Sequence, residues 1–553
     1  MAGEKTRLRT LNVRLLREGR TIGDAFSPTF SQGSDRALEQ RPWNGVEGAS
    51  LFIGQIYSNP PSWVEFLSPQ SADLPTDIFA SGAGAVVFLP IGDRTAAICF
   101  GHVHIALNDD AFERQFGLKV TLNSVPRGQL RSLDLATPDA VTFQKRVQAS
   151  RDSDLQAFGV DMLRDLARVA GGTPTDLKFA RFVAGKGSLS ITCEVKADGL
   201  RQKCADIIKA YKKIDYQKEF AWVDNMQIVH EKDIIALLDG QLEEALGKLR
   251  DGQASQLHMS PPEIVNYTEG NELHYNGFGS HGTTFHSLSI DDYVTELNRC
   301  DFDDDFSEVK ANHRIKAKGD GEEEFSEKWR VYDCFVFEAS LGAGDKEKHY
   351  VLFAGDWYVV EKRFKKLVED YFDALEKVAI IGATECANER DLIADIEANR
   401  PELLKLDQQK INPQGVRYGN LEPCDFLSKN GEFIHLKDGE SSGPISHVWM
   451  QGLVSAEAFV SDAKFRKTLR SKVKSLGNGF EVQLPKSTER VDRSKFKVVY
   501  GVMRKPYADG TVGLPFFSKV SLQAAAQRIE QFGLAVAIEL IEKPASEAAG
   551  GDD

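Results

Sequence analysis

Glu422-Pro-Cys-Asp-Phe-Leu-Ser-Lys-Asn-Gly-Glu-Phe-Ile-His-Leu-Lys437 reads as two short strands joined by a tight turn. Asn430-Gly431 is the turn signal. The second strand carries His435 and Lys437 two residues apart, so both side chains share one face. An acid on one strand and a lysine on the next can hold a metal ion and a phosphate together. Register decides whether they meet. A two-residue Asn430-Gly431 turn pairs Asp425 with Leu436 and sends its side chain to the face away from Lys437. A three-residue Lys429-Asn430-Gly431 loop, with Gly431 left-handed, pairs Asp425 with His435 and lets Asp425, His435 and Lys437 converge. An ordinary amphipathic hairpin with its polar face in solvent is the competing reading.

Outward from the hairpin, periodicity predicts a helix over Arg390–Asn399, stopped by Pro401. Downstream it predicts helices over Ile445–Phe459 and Ala463–Leu476, a strand over Lys495–Met503, a helix over Ser521–Phe532 and a strand over Leu534–Ile541. This succession, with Asp425 on one hairpin strand and Lys437 on the next, resembles the αβββαβ core of the PD-(D/E)xK restriction-endonuclease-like superfamily. The resemblance implies that Asp425 holds magnesium or manganese, with Glu422 as an additional acid, and that Lys437 positions phosphate or the attacking water. Gln451 stands where some members carry an auxiliary glutamine. The chain departs from the motif at His435, where the superfamily has an acid, and Glu432 falls on the opposite face. The implied catalytic set is therefore Asp425, His435, Lys437 and Gln451, with Mg²⁺ or Mn²⁺ as cofactor. His435-x-Lys437 also fits the start of a phospholipase-D-like motif with His435 as nucleophile. Ser442 occupies the place of that motif's aspartate, and His230-Glu-Lys232 lacks one too.

A basic segment follows the hairpin. Lys464, Arg466, Lys467, Arg470, Lys472 and Lys474 cluster in one predicted helix, a pattern that suits a DNA or RNA backbone and equally suits a solvated helix face.

Upstream, alternation predicts strands over Thr10–Leu16, Ser50–Tyr57, Gly84–Pro90, Thr95–Phe100 and Leu118–Leu122. Leu155–Val169 has helical spacing ended by Gly171-Gly172. Helices are predicted over Leu200–Tyr211, Asp233–Leu249 and Arg363–Val378, and strands over Val331–Phe337 and Tyr350–Val360. These divide the chain into 1–172, 173–360 and 361–545, with a small acidic tail over 546–553. The expected class is mixed α/β (α+β), multidomain. His102-Val-His104, the His274 to His286 cluster, Asp303–Asp305 and Glu322–Glu324 are better read as satisfied histidines, a Gly-rich loop and solvated acids.

Composition narrows the rest. The 553 residues carry 68 Lys+Arg against 82 Asp+Glu, a net charge of −14, which excludes a wholly basic surface but not a local one. No apolar run approaches the roughly 20 residues that span a bilayer, and the first residues lack a signal peptide's apolar stretch. The seven cysteines are scattered and form no C-x-x-C pair, so a reducing cytoplasm and no disulfide framework are expected.

Pro60-Pro-Ser-Trp63, Phe116-Gly-Leu-Lys-Val-Thr-Leu-Asn123, Arg131-Ser-Leu-Asp134, Cys424-Asp425, Ile434-His-Leu-Lys437, Gln451-Gly-Leu-Val-Ser-Ala456 and Leu514-Pro-Phe-Phe-Ser-Lys-Val-Ser-Leu522 together resemble a bacterial family described as sporadically distributed. Patchy distribution implies horizontal transfer and residence beside defence genes. The expected function is nucleic-acid cleavage or binding in defence against foreign DNA, with nucleic acid as partner, a protein partner or a second copy as a further possibility, and no membrane. The alternative is a non-catalytic sensor or interaction protein that keeps a degraded nuclease-like core.

Overall fold

The computed structural model describes residues 7–544 apart from 62–63, 65–66, 68–76, 139–141, 151–157, 163, 254, 266–271, 281, 301–304, 319–324, 412–420, 440–441 and 507–509. The acidic tail, the Glu322–Glu324 run and Asp303-Asp304 of the other run lie outside the described residues. The chain is mixed α/β and multidomain.

The first region is built on a ten-stranded sheet with every neighbouring pair antiparallel. Its order is Glu39–Arg41, Ser50–Asn59, Ala80–Ile91, Arg94–Gly101, Arg7–Leu15, Leu189–Val195, Phe182–Gly185, Leu166–Gly172, Leu130–Thr137, Phe143–Gln148. Helices Phe116–Ser124 and Leu200–Tyr211 pack on it around Leu11, Val13, Phe116, Val120, Ile191 and Ile207. The sheet runs through the 172/173 division suggested by the sequence and ends at Val195.

Two local expectations are corrected. Leu166–Gly172 is a strand, not the end of a helix. Its glycines serve strand packing rather than a helix stop: a Cβ on Gly172 would sit 2.5 Å from Gln129 O. Leu118–Leu122 lies in the helix Phe116–Ser124, whose buried residues come nearly all round rather than on one stripe, so the apolar run mimicked a buried strand.

The middle region has a five-stranded sheet, ordered Met226–Ile228, Asp356–Val360, Lys348–Phe353, Phe335–Leu341, His258–Met259, and a three-stranded one, Glu272–Asn276, Arg314–Lys318, Ser326–Arg330. Helix Lys232–Arg250 covers them through Leu238, Leu242 and Leu246. The expected strand over Val331–Phe337 begins as a short helix, Val331–Cys334. The expected single strand over Tyr350–Val360 is two, paired Phe353 to Asp356 around Ala354-Gly355.

Helix Lys362–Ala374 leads into the third region. Its elements are β1 (Glu376–Lys377), α1 (Glu389–Asn399), β2 (Leu403–Lys405), β3 (Phe426–Ser428), β4 (Glu432–Asp438), α2 (Ser442–Ser461), α3 (Ala463–Leu476), β5 (Lys497–Arg504), α4 (Phe516–Gln531) and β6 (Ala535–Glu542). The sheet order is β1-β6-β5-β4-β3-β2. β2, β3 and β4 form an antiparallel meander, and β4, β5, β6 and β1 run parallel. The parallel strands are buried on both faces and read as apolar runs, such as Val498-Val-Tyr-Gly-Val502. α2 and α4 pack on one face through Trp449, Leu453, Ala526 and Ile529. α1 packs on the other through Leu392, Ile393 and Ile396. A further cluster ties the regions together, joining Ala136 and Leu166 to Val351 and Tyr358 and to Phe364, Phe516 and Phe517.

Candidate functional site at the carboxyl ends of the parallel strands

The turn between β3 and β4 fixes the register. Gly431 has φ +85°, and a Cβ on it would lie 2.3 Å from Lys495 O. The Ser428 hydroxyl accepts from the Asn430 and Glu432 N–H groups, both at 3.1 Å, and so holds the loop closed. Phe426 then pairs with Ile434 and Leu427 with Phe433. One step beyond the ladder, Asp425 stands opposite His435, with its N–H donating to Ile434 O at 2.9 Å. This is the three-residue-loop register.

Asp425 is one of three carboxylates brought together here. Ligand atoms of Asp407, Glu422 and Asp425 all lie within 4.8 Å of one another. Asp407 arrives because the chain after β2 runs back along Asp425, whose carbonyl accepts from the Leu406 and Asp407 N–H groups at 2.7 and 3.0 Å. Ile411 then bridges Leu421, which brings Glu422 back beside it. The Asp425 carboxyl also accepts from Leu436 N–H at 2.6 Å. Burial pushes its pKa up to about 7, and the charges of Glu389, Asp407 and Glu422 add to that; the Leu436 N–H opposes it. The set is all carboxylate oxygen, the donor type that hard divalent cations take.

Lys437 lies at the end of β4 and pairs with Glu389 at 2.8 Å. Glu389 also accepts from Asp438 N–H at 3.2 Å. It opens α1, whose cap is the Asn388 side chain accepting from Asp391 N–H at 3.0 Å. Lys543, just past β6, pairs with Asp438 at 2.8 Å. The carboxyl ends of β4 and β6 and the N-terminus of α1 therefore meet at one edge, the edge at which ligands of open α/β sheets usually bind.

His435 is not part of the carboxylate group. It is 3% exposed, its Nε2 has no hydrogen-bond partner among the described residues, and its ring lies 6.0 Å from that of Tyr500 on β5. Burial pulls its pKa down to about 4, so the imidazole is neutral at ordinary pH. Gln451 is half-buried on α2, and its side chain has no hydrogen-bond partner among the described residues.

The basic helix α3 divides in two. Arg466 is 8% exposed and donates to Phe459 O and Val460 O at 2.9 and 3.0 Å, closing the end of α2. Arg470 donates to Glu481 O and Leu484 O. Both guanidiniums hold the fold, which removes them from the expected phosphate-binding set. Lys464, Lys467, Lys472 and Lys474 are exposed.

Sequence reasoning missed Asp407 and Glu389. Glu389 had a signal: Asn388 with Asp391 three residues on marks a helix start, where acids gather. Asp407 had none, because its place depends on the backbone bonds from the Leu406 and Asp407 N–H groups to Asp425 O.

What fold and site together define is a mixed α/β protein whose C-terminal sheet gathers carboxylates and a lysine at one edge. Residues 11–542 match the family described as "Family of unknown function (DUF6119)", and the chain belongs to that family. No curated protein and no solved structure matches it. Among the described residues no helix is long and apolar enough to cross a membrane.

Proposed function

We propose that the C-terminal region is a divalent-cation-dependent phosphodiesterase acting on nucleic acid, with a core of the restriction-endonuclease-like kind. One observation carries this reading: ligand atoms of Asp407, Glu422 and Asp425 gather within 4.8 Å of one another. The order α1-β2-β3-β4-α2-β5 supports it, since helix, meander, helix and parallel strand follow the αβββαβ succession. Asp407, Glu422 and Asp425 would hold Mg²⁺ or Mn²⁺, which would neutralise phosphate charge and lower the pKa of the attacking water. Lys437, paired with the Glu389 whose charge also acts on Asp425, would contact the scissile phosphate or orient the water. Glu389 aims the lysine. Exposed Lys464, Lys467, Lys472 and Lys474 track the backbone. His435 acts through packing: a buried, neutral imidazole neither accepts a proton near pH 7 nor reaches a phosphate, which also argues against a nucleophilic role.

The second reading is a non-catalytic nucleic-acid sensor, favoured by that same buried histidine in place of an acid. The test is incubation of the full chain with plasmid, single-stranded DNA and RNA in Mg²⁺ or Mn²⁺, beside Asp425→Asn and Lys437→Ala. Cleavage lost in both variants is expected. No cleavage under any condition, or cleavage unchanged in both variants, sinks the enzyme reading. Binding without cleavage favours the sensor.

A further inference from the structure

The strand β6 is apolar along most of its length, yet it buries Glu539, and Lys543 just past its end is buried too. Lysine and glutamate are seldom enclosed without partners that hold them there. Residues 537, 539, 541 and 543 alternate onto one face of the strand. Ala537 and Ile541 pack with Leu392 and Ile396 of α1, so Glu539 and Lys543 lie on the α1 side of the sheet. We infer that Lys543 is a positioning residue for Lys437, a role that rests on the phosphodiesterase reading proposed above.

A lysine ammonium has three N–H donors. That of Lys543 donates to both Asp438 carboxylate oxygens at 2.8 Å and to Ala387 O at 3.3 Å. Its side chain is 2% exposed. With its donors committed and its head enclosed, it does not reach a phosphate. It joins two pieces of chain instead. Asp438 directly follows Lys437 on β4. Ala387 lies two residues before Glu389, the carboxylate that holds Lys437 at 2.8 Å and also accepts from the Asp438 N–H. The ammonium therefore ties the segment that carries Lys437 to the segment that carries its carboxylate.

β6 holds the rest of the chain that enters α1 as well. Val378 N–H donates to Ile538 O at 3.0 Å and Thr384 N–H to Glu542 O at 2.9 Å. Between them Glu539 accepts from the Ile381 and Gly382 N–H groups at 2.8 and 2.7 Å. From the far end of α1, Arg400 donates to Ile380 O at 2.6 Å. The entry to α1 is thus fixed to β6 at both ends before Glu389 is reached.

Charge follows the same plan. Lys437 and Lys543 face Glu389 and Asp438, two against two. Without Lys543, an unneutralised carboxylate stands on the residue whose own N–H is bound by Glu389. Like charges this close repel, most of all where water is partly excluded, and the two segments move apart. Adjacent residues point to opposite faces of a strand, so Asp438 does not replace Glu389 as the partner of Lys437.

The test is amine labelling of the folded full chain, with the rate at Lys437 read by mass spectrometry. Lys497 is the control, because it pairs with Glu376 at 2.6 Å at the opposite edge of the same sheet. In Lys543→Met the Lys437 rate is expected to rise about threefold or more while the Lys497 rate stays the same. An unchanged Lys437 rate overturns the proposal. So does an equal rise at both lysines, which marks general loosening. If the melting curve shows that Lys543→Met does not fold, Glu539→Leu decides by the same criterion, since it removes a buried charge rather than stranding Asp438. Cleavage is read separately. Where the wild-type chain cleaves nucleic acid, kcat in the variant should fall about tenfold with KM within about twofold. An unchanged kcat beside a raised labelling rate overturns the positioning role. A wild-type chain that cleaves nothing refutes the phosphodiesterase reading, and labelling alone then decides whether Lys543 holds Lys437.

Discussion

Replacing His435 by leucine should make the local stability of β4 less sensitive to acid, by an amount the structure fixes. The imidazole is buried, its Nε2 lacks a partner among the described residues, and burial pulls its pKa from 6.5 down to about 4. A folded-state pKa below the unfolded one means the fold prefers the neutral ring. Its penalty is therefore absent above about pH 6.5 and grows as pH falls toward 4, where the unfolded chain binds a proton that the folded chain refuses. An interval of about 2.5 pH units at about 1.36 kcal/mol per unit gives about 3 kcal/mol by pH 4. His435→Leu removes this dependence. Near pH 7 the same change removes a buried unsatisfied nitrogen, worth about 1–3 kcal/mol, offset by imperfect packing against Tyr500. Hydrogen exchange of the Ile434–Lys437 amides in both proteins from pH 7.5 to 4 reads the difference, because intrinsic exchange rates cancel at equal pH. The variant's advantage should widen by about 3 kcal/mol. A difference flat with pH would show that the ring protonates inside the fold and would refute the enclosed-histidine account. Loss of Mn²⁺ binding in His435→Leu, with protection kept, would make the ring a ligand.

Gly431→Ala should cost about 1–3 kcal/mol, through its left-handed backbone and the contact with Lys495 O, as read by thermal melting. Arg466→Met should cost about 2–4 kcal/mol by breaking the closure of α2. Reversing Lys467 should leave stability within about 0.5 kcal/mol and lower both nucleic-acid affinity and its salt slope. Asp425 titrates in the sense opposite to His435: its raised pKa favours the fold at low pH, and that contribution is lost as pH rises through about 7. Mn²⁺ affinity measured calorimetrically should therefore rise about tenfold per pH unit below 7, as one proton is displaced, and level off above it. Asp425→Asn should bind weakly without that slope.

The C-terminal fold was legible because its signals are local. Pro401 stops α1, Asp462 caps α3, and Gly431 sets the β3–β4 loop; each acts within a few residues of itself. The N-terminal region was less legible because its glycines answer to distant chain. Gly171-Gly172 looks like a helix stop in sequence, yet the pair lies in a strand beside Leu130 and Ser132. Charge was legible only in part. Arg466 and Lys467 are adjacent and alike in sequence, but one faces the carbonyls at the end of α2 and the other faces solvent.

The histidine at 435 and the hidden aspartate at 407 belong to one arrangement. In the restriction-endonuclease-like core proposed above, the strand would place its second acid two residues before the lysine and so supply both charge types. β4 carries Lys437, while the carboxylates come from the chain flanking it: Asp407 after β2, Glu422 before β3, and Glu389 at the start of α1, which holds Lys437. With three acids already facing Asp425, a fourth at 435 would lie directly opposite it and raise further a pKa already near 7. Position 435 is therefore free to turn into the core against Tyr500, and a neutral ring is what that environment tolerates. The carboxylates lie on chain flanking β4 rather than on the strand itself, and the separation of Asp407 from Lys437 along the chain is why no linear pattern revealed the group.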